Sequence, residues 1–129
     1  MSIFDLDLDK LASEGVDVEI VHPVTGERTG EVFVIAGRDS SLWKANADKV
    51  RADIKAEGKK VEDCIDEIIM RTAALSTLRW PESASMDGKP LPCTPENALM
   101  LYKRPNGIWE QIYPAVIDRA SLKKKLLKS

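Results

Sequence analysis

The sequence is poor in the residues that build catalytic and metal sites. Its 129 residues include a single histidine, His22, and two cysteines, Cys64 and Cys93. Ser-His-Asp and Cys-His catalysis would both have to use His22, which precedes a turn proline and has no Ser or Cys near it in sequence. One histidine and two cysteines also fall short of the four ligands of a usual zinc site. We therefore expect no enzyme, no metal and no other cofactor.

Two groups of carboxylates resemble functional motifs without completing them. Asp5, Asp7 and Asp9 have the spacing that opens a calcium loop, but Lys10 stands where that loop needs Gly and Val16 where it needs a bidentate Glu. Pairs one turn apart, Asp63 with Glu67 and Glu62 with Asp66, are expected on the polar side of a helix. We interpret these pairs as a solvated face and not as an acid/base pair.

Long apolar runs and an excess of basic charge are also missing. No run approaches the eighteen or so residues of a membrane-spanning helix, and the acidic N-terminal segment is unlike the basic start of a signal peptide. The formal net charge is −2, whereas phosphate binding requires a basic excess on one face. These observations predict a cytoplasmic protein that has neither a membrane nor a nucleic acid as its main partner.

Charge is nevertheless distributed unevenly along the chain. Residues 1–20 carry six acidic side chains and one basic one, while residues 119–129 carry five basic side chains and no acidic one. Both segments can be solvated termini. Alternatively, they can steer head-to-tail contact between copies, in which case assembly should weaken with salt.

The hydrophobic period predicts a single domain, residues 1–129, of α+β class and mainly α. Val16, Val18 and Ile20 alternate with polar residues, and a second strand over 31–35 follows a turn at 23–26, so a hairpin is expected at about 16–36. From about 39 to 128 the period is helical. About four helices are expected. The first should bury a stripe of Leu42, Trp43, Ala47, Val50 and Ile54. The second should bury a stripe of Val61, Ile65, Ile68, Ile69, Thr72 and Leu75.

The segment from Leu78 to Ile117 has the strongest local signals. Trp80 and Pro81 are expected to end the second helix, and residues 86–92 to form a turn and an extended strap. Thr94 can cap a third helix that has Pro95 at its first position. Pro105-Asn106-Gly107 then ends that helix before a fourth begins near Ile108.

Aromatic side chains are few and concentrate in this same segment. We expect Trp80 and Tyr102 to close the core over the longer helices. A second group can either belong to the core or form a partner-binding surface, because Trp and Tyr dominate interface energetics. Its members are Trp109, Ile108, Ile112 and Tyr113.

Two groups of motifs, taken in order, carry a resemblance to a known family. The first comprises His22–Glu27, Gly30 and Gly37–Ser40; the second comprises Trp80, Asp87–Pro92, Thr94–Ala98, Leu101–Tyr102 and Ile108–Ile112. Together they resemble the tail assembly chaperones of long-tailed phages, over about Val16 to Arg119. The sequence departs from the family at Leu122, Leu126 and Leu127, which are set among lysines where family members often finish with further apolar residues.

The resemblance implies a non-enzymatic role in virion morphogenesis. Such proteins are made in the host cytoplasm, coat the tape measure protein, keep it soluble and are absent from the mature virion. Many copies are needed, so each should offer an apolar surface to a client helix and a second surface for self-association as a homo-oligomer.

The resemblance also implies recruitment of the tail tube protein, commonly through a longer form made by translational frameshifting. Adjacent lysine codons at Lys123–Lys125 can form a slippery run of adenines, although a basic helix end that complements its dipole accounts for them equally well.

Two other functions remain open. The main alternative is a minor tail adaptor or completion protein that is retained in the virion. A remoter alternative is an antitoxin-like DNA-binding regulator, which would need a longer basic helix than Lys123–Lys128.

Overall fold

The computed structural model describes residues 2–118 and has an α+β fold, mainly α, in which a β-hairpin near the N-terminus is followed by helices. The expected fold class is therefore confirmed. In chain order the elements are α1 (Leu8–Ser13), β1 (Val16–Val21), β2 (Arg28–Ile35), α2 (Ser41–Ala56), α3 (Ile65–Leu75), β3 (Thr77–Arg79), β4 (Ser85–Met86), β5 (Lys89–Pro90), α4 (Pro95–Lys103) and α5 (Trp109–Ile117).

The predicted hairpin is confirmed as the antiparallel pair β1 and β2. Its register runs from Val16 opposite Ile35 to Ile20 opposite Glu31. The alternating residues of β1, which are Val16, Val18 and Ile20, are all buried, as their spacing predicts. A hairpin alone is marginal in water, and here its apolar face is covered by the helices that follow.

A third strand, β3, was not expected from the sequence. It pairs antiparallel with β2 at Val34 and Ile35, so β2 is the central strand of the sheet. The helical pattern had been extended to Trp80, but α3 ends at Leu75. The hydroxyl of Thr77 donates to the carbonyl of Ala73 at 2.8 Å, and the chain leaves the helix there to join the sheet.

Helices α2 and α3 follow the predicted pattern except near their starts, and Val61, predicted in the second helix, lies in a separate 3-10 turn, Val61–Asp63, before α3. Ser40 caps α2, accepting from the backbone N–H of Trp43 at 3.0 Å. Leu42 and Ile65 had been placed on the buried stripes, but they are 42% and 57% exposed. Both residues lie in the first turn of a helix, where fewer neighbouring side chains cover the stripe.

An ion-pair network ties the C-terminal end of α2 to α3. The Arg71 guanidinium donates to Glu57 at 2.8 Å and to Glu67 at 2.6 Å. Hydrogen bonds from Arg71 lower the pKa of both carboxyls below the usual value for glutamate. Glu62, Asp63 and Asp66 are exposed, as a solvated face predicts, whereas Glu67 is partly buried and ion-paired.

The acidic N-terminal residues act as helix caps. Asp7 caps the unexpected helix α1, accepting from the Lys10 N–H at 3.0 Å. The Asp9 carboxylate accepts from the Ser41 N–H at 2.7 Å and from the Ser41 hydroxyl at 2.6 Å, which lowers the pKa of Asp9. Ala12 is fully buried, so α1 is anchored to the body at both ends.

Helix α5 packs on β1 through a contact that we call the seam. The side chain of Gln111 accepts from the Val21 N–H at 2.9 Å and donates to the Val21 carbonyl at 3.0 Å. Beside it, Gly107 has φ +77° and lies so close to Pro23 that an added Cβ would be 2.6 Å from the Pro23 Cβ. The seam thus joins residues about ninety positions apart in sequence.

The remaining expectations for the C-terminal half are largely confirmed. Thr94 caps α4, accepting from the Asn97 N–H at 3.1 Å, and Pro95 is the first helical residue. Asp87 and Gly88 have φ of +53° and +78° in the turn between β4 and β5, as a tight Asp-Gly hairpin turn requires. The predicted helical part extended to 128; α5 ends at Ile117, and residues 119–128 lie outside the described residues.

Substitution of Gln111 by Ala should destabilise the fold by about 1–3 kcal/mol, because the Val21 N–H and carbonyl lose their partners. Glu110→Ala, an exposed change on the same helix, should shift stability by no more than about 0.5 kcal/mol. Urea unfolding followed by circular dichroism measures both. Equal stability of the two variants would contradict the role of the seam.

Candidate partner-binding surfaces

The four residues expected to form a partner-binding surface are divided between the core and the outside of α5. Ile112 is fully buried, together with Val116 four residues later. Ile112 is therefore a core residue that faces β1 and is not available to a partner, which corrects that part of the expectation. Ile108 and Trp109 are half-buried, and Tyr113 is 39% exposed.

Trp109 and Tyr113 form an aromatic pair on the outer side of α5. They are four residues apart, and their ring centroids are separated by 5.8 Å in an edge-to-face arrangement. Trp109 also stacks on buried Tyr102 with a centroid distance of 5.5 Å. The pair thus rests on a buried ring, and Tyr113 remains exposed to a partner.

The row of rings continues inward from this pair. Tyr102 lies 6.5 Å from Phe33, and Phe33 lies 5.6 Å from Trp80, measured between ring centroids. All three are buried, which confirms the expectation that Trp80 and Tyr102 belong to the core. The Trp80 Nε1–H donates to the Leu91 carbonyl at 3.0 Å, so the indole also fixes the strap that follows β5.

A cleft of about 200 Å³ opens above the inner end of this row. Its lining includes Glu31, Ser83 and Ser85, and Glu31 is the only charged residue among the described residues that line it. Apolar side chains from separate parts of the chain line it as well: Phe33, Trp80, Met86, Leu91, Leu101 and Ile108. The lining of the cleft is therefore mixed, with polar and apolar surface in about equal parts.

The cleft could not be assembled from the sequence. Phe33, Leu91 and Leu101 each carry a core-like signal, and only the pairing of β2 with β3 brings Phe33 beside Trp80. Ile108 was predicted as a contact residue because of its place beside Trp109, and the structure places it in the wall of the cleft.

Polar candidates from the sequence have structural partners. His22 Nδ1 accepts from the backbone N–H groups of Val24 and Thr25, both at 3.2 Å, so the imidazole stabilises the hairpin turn. Cys64 and Cys93 are free, and burial raises the pKa of the Cys93 thiol.

Within residues 2–118 no group of three or more His, Cys, Asp or Glu side chains is placed to hold a metal ion. Of the helices in that stretch, none has the length and apolar character needed to cross a membrane.

The buried Tyr102 hydroxyl lies 2.7 Å from the Thr77 hydroxyl, at the junction of α3, β3 and α4. Burial raises the pKa of Tyr102, because desolvation disfavours the charged phenolate. The unfolded chain therefore loses this proton at a lower pH than the folded chain does. Stability should be intact below the ordinary tyrosine pKa and fall as the pH rises above it.

Substitution of Tyr102 by Phe should remove this alkaline dependence. Between the unfolded and the folded pKa, the wild type should lose up to about 1.4 kcal/mol per pH unit more than Tyr102→Phe does. At neutral pH the variant should be less stable by about 1 kcal/mol, since one hydrogen bond is lost. Urea midpoints measured from pH 8 upward test the difference; parallel pH curves for the two proteins would contradict it.

Comparisons of the chain with protein-family models, with curated proteins and with solved structures give no match.

Proposed function

We propose that this protein is a tail assembly chaperone of a long-tailed phage. It binds the tape measure protein in the host cytoplasm, keeps it soluble, helps to recruit tail tube subunits and is absent from the mature virion. The role requires binding surfaces and no reaction. The family resemblance supplies this proposal, and the arrangement of the resembling motifs in space supports it.

One observation supports the proposal most: the resembling motifs meet in the fold. Gln111, from the Ile108–Ile112 motif, binds the backbone beside His22–Glu27, and Gly107 packs on Pro23 of that same motif. The Trp80 indole binds the strap at Leu91, and the Asn97 side chain donates to the Pro92 carbonyl at 2.9 Å. Motifs that are scattered in sequence thus hold one structural unit together.

The client surface that we propose is the aromatic pair, Trp109 and Tyr113. A client helix presents apolar side chains at intervals of three and four residues, and rigid aromatic side chains bind such a stripe with little loss of conformational entropy. Helix α5 is fixed to β1 by the seam, so the pair is presented without a prior ordering cost. Ile108 belongs to the cleft and Ile112 to the core, so neither is part of this surface.

Co-expression with the tape measure protein tests the proposal. Wild-type protein should raise the soluble fraction of the tape measure protein and co-purify with it. Tyr113→Lys should weaken that capture at least about tenfold, since it adds a charge to the centre of the contact. Leu42→Lys is the matched control, because Leu42 is 42% exposed on α2 and Tyr113 is 39% exposed on α5.

Two results would overturn the proposal. The first is a tape measure protein that is equally insoluble with and without this protein. The second is detection of the protein at a fixed copy number in purified virions, which would favour the adaptor function instead.

Recruitment of the tail tube protein by a frameshifted longer form is also part of the proposal. The lysines concerned, Lys123–Lys125, lie outside the described residues. A run of adenines at their codons, followed by an overlapping reading frame, supports this part; interrupted codons with no overlapping frame contradict it.

A further inference from the structure

Glu31 is a charged residue on the core-facing side of the sheet. In β2 it lies opposite Ile20 of β1, and Phe33, two positions further along, lies opposite Val18. Opposite residues, and residues two positions apart in a strand, share one face of a sheet. Ile20, Val18 and Phe33 are buried, whereas Glu31 is exposed. Glu31 therefore stands where the core side of the sheet meets solvent, at the cleft.

Within residues 2–118 the carboxylate of Glu31 forms no ion pair. The ion pairs of that stretch use four other acidic residues: Glu19, Asp48, Glu57 and Glu67. The described lining of the cleft contains no lysine or arginine either, and Glu31 is its single charged residue. The cleft thus presents one unpaired negative charge, which favours a cationic occupant.

The other lining residues match an occupant that is partly apolar. Ser83 and Ser85 contribute hydroxyls that can accept hydrogen bonds, while Leu91 and Leu101 contribute apolar surface. Polar and apolar surface each make up about half of the lining. A basic side chain is divided in the same way, because it combines an apolar stem with a charged head.

The size of the cleft fits one side chain. Its volume is about 200 Å³, whereas pockets for whole small molecules are roughly 300–1,000 Å³. Phe33 and Trp80 are the buried members of the lining, so they belong to its inner end. Aromatic rings in a half-apolar lining favour a guanidinium, which stacks on ring faces and is less strongly hydrated than an ammonium.

We propose that the cleft binds the side chain of an arginine on a partner protein, with the guanidinium at Glu31 and the stem against the apolar lining. Arginine is enriched at protein interfaces and among the residues that dominate binding energy. The site goes beyond the proposed function, since it is defined without reference to the tape measure protein. It also differs from the aromatic pair, which offers a partner no charge.

Titration of the 129-residue chain with N-acetyl-arginine N-methylamide, a blocked arginine residue, tests the site. The Kd should be about 1 mM, because a single side chain buries little surface. Binding should shift the NMR signals of the Trp80 indole N–H and the Glu31 amide, since both residues line the cleft. The matching citrulline compound has the same shape and no charge, and it should bind at least about threefold more weakly.

Glu31→Gln keeps the size of the side chain and removes its charge. This variant should bind the arginine compound at least about threefold more weakly and the citrulline compound as the wild type does, because each charge acts on the other. Glu27→Gln is the matched control, since it makes the same change between β1 and β2, outside the cleft, and should alter neither affinity. Both glutamates are exposed, so neither change should disturb the fold.

Methylguanidinium tests the apolar half of the lining. It carries the charge of arginine without the stem, so it should bind at least about fivefold more weakly than the blocked arginine. Equal binding of these two cations would show that the stem contributes nothing and would contradict the proposed fit.

Three further results would overturn the site. They are equal binding of the arginine and citrulline compounds, a Glu31→Gln variant that binds arginine like the wild type, and NMR shifts that leave Trp80 and Glu31 unaffected. Self-association that Glu31→Gln abolishes would make a second copy the occupant, which also contradicts a separate partner. Capture of the tape measure protein through Tyr113 would stand in each of these cases, so the two proposals fail independently.

Discussion

Gln111 reaches from α5 to the outer edge of β1, where its amide accepts from the Val21 N–H and donates to the Val21 carbonyl. An edge strand has backbone groups without a partner in the sheet, and here one side chain supplies both a donor and an acceptor. Ile112 and Val116 continue the contact into the core. The hairpin and α5 are therefore joined, and the orientation of α5 follows from this contact.

The seam determines which side of α5 faces outward. Because Ile112 and Gln111 face β1, Trp109 and Tyr113 must lie on the other side, and Ile108 is carried to the cleft. A second group of contacts determines where α1 lies, since Asp9 and Ala12 attach it to α2 and to the far end of the hairpin.

Local sequence signals predicted the elements that local physics determines. Thr94 was identified as a cap because a hydroxyl can satisfy a free N–H at a helix start, and β1 was identified by its alternation. Elements that tertiary contacts determine were missed: α1 has only six residues, and β3 has three residues stabilised by the edge of β2. The bond between Gln111 and Val21 spans ninety positions and has no signal in a single sequence.

For the candidate surfaces too, the sequence predicted what local spacing determines and missed what tertiary contacts determine. Spacing correctly placed aromatic residues on a short C-terminal helix, but four residues in one turn and a half cannot all face a partner. Only tertiary packing shows that Ile112 enters the core and that Ile108 lines the cleft.

The most direct measurement of the seam is native-state hydrogen exchange at the Val21 amide. The structure predicts protection close to that of the buried core of α2, with exchange only on global unfolding. Exchange as fast as that of the exposed hairpin-turn amides would contradict it.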